Sequence, residues 1–308
     1  LACLTTGRPY VALDMRHPAS RNADIIGRTG LAAVLAPADF GSMAEIIPAV
    51  LPRIVSEAPG ARRAETCAAS VAPVPGMPAG ILYTSGSTGH PKGIANSEAA
   101  LLQRVAQYVN ACHLNAADRF LTLSSPCTIA GTREGLTALL VGGTLYVIDT
   151  QRRGLGDIAQ CKCIRDVQIT VFNSVPSVLR ALITAQSDAA DALRSLRVVR
   201  IGGEVVFWSD IRQFHPTLPD TCHIQIGYSS TESTGTQWFV PTDVTPDGPF
   251  VRVGYVLPGN VASVLDEMGH VASPDGVGEL VLRGRVIALN LWENGRCRRS
   301  HSGGRYGP

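Results

Sequence analysis

The sequence predicts an α/β fold: mainly parallel sheets with flanking helices, followed by a C-terminal antiparallel β subdomain. Three observations carry this. Short apolar runs at 121–124, 144–148, 169–172, 198–201 and 223–226 alternate with helical stretches, as strands covered by crossover helices do. From about Gln237 turn signals multiply (Pro241-Thr242-Asp243, Pro258-Gly259-Asn260, Pro274-Asp275-Gly276) between alternating runs at 261–265 and 278–282. The chain has 308 residues, 45% hydrophobic and 17% charged, enough for a large core and two subdomains. The expected division is an α/β core at 1–236 and a barrel-like β region at 237–308.

In chain order, Gly7 to Asp14 reads as a turn leading into a short buried strand, and His17-Pro18 opens a helix with Pro18 in its first turn. Leu31 to Leu35 is a candidate parallel strand. Residues 56–79, rich in Pro, Ala and Gly, read as a linker. Ile81 to Tyr83 ends a buried strand, and Ala95 to Cys112 reads as a helix, which sets residues 83–93 as a loop between strand and helix.

Several classes lose support. The net charge is +2 and the basic residues are scattered, which argues against nucleic-acid and membrane-surface roles. Arg296, Arg298 and Arg299 read as a solvated strand or loop end. The most apolar run, Leu136 to Ile148, is shorter than the roughly 20 residues a bilayer span takes. No basic-then-apolar leader is visible. Eight cysteines occur without a C-x-x-C pair, which reads as reduced thiols of a cytoplasmic protein. Cys161 and Cys163, and His215 and His223, lack zinc spacing, and no G-x-S-x-G elbow exists. The chain opens on Leu1 and closes in Gly-Gly-Arg-Tyr-Gly-Pro, and both ends read as cuts in something longer.

Chemistry concentrates in two stretches. Tyr83-Thr84-Ser85-Gly86-Ser87-Thr88-Gly89-His90-Pro91-Lys92-Gly93 combines hydroxyls, glycines and a lysine, a composition suited to wrapping phosphates. It is not the P-loop of NTPases: Lys92 follows Pro91, and Gly93 stands where that motif needs Ser or Thr. Gly227-Tyr228-Ser229-Ser230-Thr231-Glu232 follows an apolar strand, so it falls at a strand's carboxyl end, where open α/β sheets bind ligands. Gly202-Gly203-Glu204 ends another apolar run, and Phe172-Asn173-Ser174-Val175-Pro176-Ser177 a third.

These stretches together resemble the adenylate-forming superfamily: acyl-CoA synthetases, luciferases and the adenylation domains of nonribosomal peptide synthetases. The resemblance implies activation of a small carboxylic acid by ATP and Mg²⁺ to an acyl-adenylate. Transfer to a phosphopantetheine thiol of CoA or of a carrier protein would follow, with neighbouring synthetase domains as possible partners. It further implies that Thr84, Ser85, Gly86, Ser87, Thr88, Gly89 and Lys92 hold phosphates, and that the Gly202-Gly203-Glu204 backbone runs along adenine beside Gly227 and Ser229. Tyr228 would stack on the base, Thr231 touch the α-phosphate and Glu232 ligate Mg²⁺, leaving Thr84, Lys92, Thr231 and Glu232 nearest the reaction. Ile129, Ala130, Arg133, Asn173, Gly227 and Gly235 would line the acyl pocket.

The departures matter too. In peptide-synthetase relatives an Asp pairs with the substrate's α-ammonium; Ile129 stands there, which argues against an ordinary α-amino acid. Arg133, one helical turn on, reaches either a substrate carboxylate or polar tail, or else Glu134 and solvent. The family's ribose-binding Asp is not found in Ser300-His301-Ser302-Gly303-Gly304-Arg305-Tyr306. A small lysine-bearing domain that completes the family's enzymes is expected outside these residues, so the fragment alone is expected to be inactive. A degenerate, non-catalytic homologue and a nucleotide-binding sensor are the alternatives.

Overall fold

A computed structural model describes residues 1–37, 41, 43–56, 71–72, 74–85, 90–148, 162–184, 189–284, 287–293 and 295–298. The strands are β1 (Val34–Pro37), β2 (Arg53–Ser56), β3 (Pro78–Ser85), β4 (Pro91–Ser97), β5 (Arg119–Thr122), β6 (Thr144–Val147), β7 (Val171–Ser174), β8 (Val198–Gly202), β9 (His223–Ser229), β10 (Thr234–Phe239), β11 (Tyr255–Val256), β12 (Asn260–Leu265), β13 (Glu279–Gly284), β14 (Asn290–Glu293) and β15 (Arg296–Arg298). The longer helices are α1 (Ala19–Thr29), α2 (Glu98–Cys112), α3 (Ile129–Val141), α4 (Pro176–Thr184) and α5 (Trp208–Phe214). The chain separates into two compact units, one of Leu1–Ala100 with the stretch from Ala288, the other of Leu101–Ile287.

In the second unit seven strands run in the order β11-β10-β9-β8-β7-β5-β6. The pairs from β9 to β6 are parallel, as the alternation of apolar runs and helices predicts. Side-chain alternation along each strand splits the core into two faces. Leu121, Phe172, Val199, Ile201, Ile224 and Ile226 pack on one face with Leu179 of α4 and Trp208 and Phe214 of α5. Phe120, Val171 and Val198 pack on the other with Tyr108, Cys112 and Ala138.

The expected boundary at 236/237 does not separate the units. Ser230 N–H donates to the Ser233 carbonyl across a tight turn, and β10 folds back antiparallel on β9, with β11 beyond it. This supplies partners to backbone groups that the outer edge of β9 would otherwise leave bare. The alternating runs expected at 261–265 and 278–282 pair as the antiparallel ribbon β12–β13. The stretch from Ala288 belongs instead to the first unit, where β14 pairs with β4 in the sheet β15-β14-β4-β3.

Two further expectations in the first unit change. The stretch expected to be a loop between strand and helix does not join a strand to a helix: β3 and β4 form an antiparallel pair, and the helix starts only at Glu98. Residues 91–97 are buried along most of their length and ladder against β3. Ser97 Oγ then accepts from Ala100 N–H at 3.1 Å, capping the first turn. The early strand at 7–14 reduces to a single bridge between Tyr10 and Gly80. The strand expected at 31–35 forms as β1, shifted to Val34–Pro37 and parallel to β2, over a small core of Ile26, Val34 and Ile47.

Candidate functional site

In the first unit Thr84 pairs with Lys92 and Ser85 with Pro91 at the open end of the β3–β4 ribbon. Thr84 Oγ1 lies 3.5 Å from the Lys92 carbonyl. Gly86, Ser87, Thr88 and Gly89 lie outside the described residues, as does the 300–306 stretch that lacks the family's ribose-binding Asp. The base of the ribbon is anchored by polar contacts. Thr29 Oγ1 donates to Tyr83 Oη at 3.0 Å, and Trp292 Nε1 donates to the Thr29 carbonyl at 3.0 Å. His90 Nδ1 stands 3.3 Å from Asp24 Oδ2, and Arg28 Nε bonds the other oxygen of that carboxylate at 2.5 Å. The Arg28 bond holds the Asp24 carboxyl below its usual range, with His90 adding to it. An open cleft of about 250 Å³ lies alongside, lined by Pro18, Ser20, Arg21, Asp24 and Pro91.

In the second unit the predicted residues gather at the carboxyl ends of neighbouring strands. Gly202 on β8 and Gly227 on β9 are register partners. A Cβ on Gly202 would fall 2.4 Å from the Gly227 carbonyl oxygen, so the close approach needs glycine. Gly203, at φ +83°, turns the chain out of the sheet. The Glu204 carboxylate accepts from Ser177 N–H at 3.2 Å and Ser177 Oγ at 2.7 Å, placing an anion at the start of α4. Its side chain therefore braces the turn, leaving the glycine backbone as the exposed edge.

Tyr228 is 40% exposed. Its ring lies against Gly235, where a Cβ would come within 2.8 Å of Cδ1. Thr231 and Glu232 are half-buried in the bend that follows β9. What fixes this bend is a residue that motif reading missed. Arg104, on α2 and 4% exposed, donates from Nη1 to the Ser230 carbonyl at 3.1 Å and from Nη2 to the Thr231 carbonyl at 3.0 Å. Burial and the charge of Arg133 pull its pKa down to about 10, and the Glu232 carboxylate opposes that fall, so it stays a cation at neutral pH.

Behind Gly227 the strand face changes character. On this face β7 and β8 are apolar at their amino ends (Val171, Val198), with His223 in the same register on β9, and all three strands are polar two residues on. Asn173, Arg200 and Gln225 stand side by side in register across three strands, with Thr122 buried at the end of β5. From α3, Arg133 Nη2 donates to Asn173 Oδ1 at 3.2 Å and lies 3.7 Å from Glu134 Oε1. Tyr108 of α2 offers its ring to both Arg133 and Arg200, at 4.9 and 5.4 Å from the guanidinium carbons. Burial pushes the Glu134 carboxyl up to about 7, against the opposing charges of Arg133 and Arg200.

Of the predicted pocket residues, Arg133 and Asn173 thus touch, and Gly227 joins them through Arg200, whose Nη2 would lie 2.5 Å from a Cβ there. Ile129 and Ala130 are the first two residues of α3, half-buried behind the Thr128 cap. Arg200, Glu134 and Tyr108 lie outside every motif. A signal exists for Arg200 alone, the one polar residue inside the apolar run 198–201.

Glycine edges, an exposed tyrosine, and a carboxylate beside a clamped bend gather at the carboxyl ends of parallel strands, the edge at which open α/β sheets bind ligands. The chain belongs to the AMP-binding enzyme family, which matches residues 1–292. It is 30% identical to the L-proline–[L-prolyl-carrier protein] ligase of Streptomyces coelicolor, across 95% of this chain and 59% of that protein. Among solved structures it resembles the nonribosomal peptide synthetase FmoA3 (TM-score 0.80, 22% identity, 94% of this chain and 31% of the other). It also resembles O-succinylbenzoate coenzyme A synthetase from Bacillus subtilis, in complex with ATP and magnesium (TM-score 0.74, 18% identity, 94% and 58%). At these identities the structures establish the adenylate-forming fold. The chain spans 59% of the proline ligase but 3% and 19% of two longer synthetases it also matches.

The site residues suit ATP and Mg²⁺. Among the described residues no group of three or more His, Cys, Asp or Glu could cage a metal. Mg²⁺ needs no such cage: it takes one or two carboxylates together with phosphate oxygens and water, and Glu232 offers one.

Proposed function

We propose that the full natural chain containing these residues activates a small carboxylic acid. A carboxylate oxygen attacks the α-phosphorus of ATP, the bond from that phosphorus to the bridging oxygen breaks, and pyrophosphate leaves with the electron pair. The product, an acyl-adenylate, then passes its acyl group to a phosphopantetheine thiol on a carrier protein or CoA. Charge develops on phosphate oxygens, so the protein contributes positioning and electrostatic stabilisation. Lys92 and the hydroxyls of Thr84, Ser85, Ser87 and Thr88 hold the departing phosphates. The Gly202-Gly203 edge and Tyr228 receive adenine, and Thr231 donates to the α-phosphate. Mg²⁺ held by Glu232 supplies charge neutralisation when bound.

The observation that most supports this is the register pairing of Gly202 with Gly227, which brings two separate motifs to one strand edge beside the bend that Arg104 clamps. The test is exchange of labelled pyrophosphate into ATP, dependent on added acid. Lys92→Ala and Glu232→Ala are expected each to lower exchange by roughly 100-fold, the scale set by loss of one preorganised charge contact. Unchanged exchange in both variants would refute these roles.

A further inference from the structure

Arg200 is 5% exposed, and among the described residues its guanidinium makes no hydrogen bond or ion pair. It rests between the Tyr108 ring and the bare Cα of Gly227. Arg133, 6% exposed, has Asn173 as its hydrogen-bond partner, and its Nε has none. Gln225, fully buried in the same row, keeps an unpartnered Oε1. One carboxylate, Glu134, faces both guanidinia, and neither of its oxygens makes a well-formed hydrogen bond. Buried polar groups are nearly always satisfied, and buried cations are paired. Gln225 Oε1 and the Glu134 oxygens are acceptors and call for donors, but two guanidinia stand against a single carboxylate, and this excess of positive charge beside the Gly227 strand edge points to an anion that belongs there.

We propose that the acid accepted by this protein carries a second carboxylate, received by Arg200 and Arg133, and no free α-ammonium. The inference rests on the acid activation proposed above. Arg200 sits on Gly227, one residue before Tyr228 and deeper in the sheet than the bend at 231–232, so the group it binds is the far end of the substrate. The same guanidinia repel an ammonium, and Ile129 at the start of α3 offers it no counter-charge.

The test compares acids of matched length in the pyrophosphate-exchange assay on the full natural chain. Succinate, glutarate and adipate are set against butanoate, pentanoate and hexanoate, with benzene-1,3-dicarboxylate against benzoate, and L-glutamate as the ammonium-bearing control. A dicarboxylate is expected to exceed its monoacid by about 100-fold in kcat/KM, because a site built for a polar group strongly rejects the analogue lacking it. Arg200→Met and Arg133→Met are expected to bring that ratio towards one, mainly through KM. Arg133→Met with Glu134→Gln removes both charges and covers the case in which the single variant does not fold; ATP binding monitors folding in each. Exchange with monoacids or amino acids and no dicarboxylate advantage overturns the proposal while leaving acid activation intact. A dicarboxylate preference that survives in every arginine variant overturns the assignment to these residues. No exchange with any acid, in a chain that binds ATP, overturns acid activation and this proposal with it.

Discussion

Single atoms decide much of this site. A methyl at position 227 would meet the Arg200 guanidinium at 2.5 to 3.0 Å, so the glycine is kept by a side chain from the next strand and not by a turn. Gly227→Ala is expected to cost about 1–3 kcal/mol, the range for overpacking a tight interior, and to displace Arg200; urea denaturation reads the cost. Arg104 acts in a different way. Its two bonds reach backbone carbonyls, so they fix the path of the bend without constraining which side chains it carries. Arg104→Met leaves those acceptors bare and is expected to destabilise by about 1–3 kcal/mol per unsatisfied group. It should also weaken Mg²⁺-dependent nucleotide binding, which calorimetry on variant and parent would detect. Equal Mg²⁺ dependence in the two would remove Arg104 from the site.

At the scale of elements, both candidate regions are strand ends braced by polar contacts from elsewhere in their own unit. The opposite, amino-terminal edge of the parallel sheet has its own brace. Arg197 Nη2 bonds Asp118 at 2.5 Å, Thr170 Oγ1 at 2.8 Å and Asn115 N–H at 2.9 Å donate to the same carboxylate, and Arg197 also reaches the Cys112 and His113 carbonyls. This ties α2 to β5, β7 and β8. Asp118→Asn keeps the shape and discards the charge. It is expected to lower stability by about 1–3 kcal/mol, less than for a fully buried pair because Arg197 is 34% exposed and solvent screens it, without changing which acid is activated. A change of acid preference would contradict the separation of scaffold edge from ligand edge. The helix expected from Ala95 shows how local signals mislead: residues 95–97 extend β4, whose backbone pairs with β3 and β14, and the helix starts at Glu98.

For the whole molecule, two buried carboxyls shape stability in opposite senses. Burial raises the Glu134 pKa from 4.5 to about 7, so the folded state holds that proton longer than the unfolded one. Its contribution is complete below about pH 4.5 and lost as pH rises through 7, with a slope of at most roughly 1.4 kcal/mol for each step of one in pH. Burial pushes Asp118 the same way, but Arg197, Asn115 and Thr170 hold its carboxyl below the usual value of 3.8. That contribution is present above pH 3.8 and lost as pH falls further. Stability is therefore expected to decline between about pH 5 and 7.5, and Glu134→Gln should flatten the decline; an unaltered slope in that variant would refute the assignment.

The sequence by itself determined the five central strands and the family, because apolar alternation and glycine–hydroxyl turns are written in contiguous residues. The roles proposed for Tyr228, Thr231 and Glu232 rest on the same kind of contiguous pattern. Only the tertiary structure decided that Asn173, Arg200 and Gln225 form one polar row, that Arg104 clamps the bend, and that 288 onward returns to the first unit. Register across parallel strands joins residues about 25 positions apart or more, and no local pattern encodes which side chains will share a face with a distant helix.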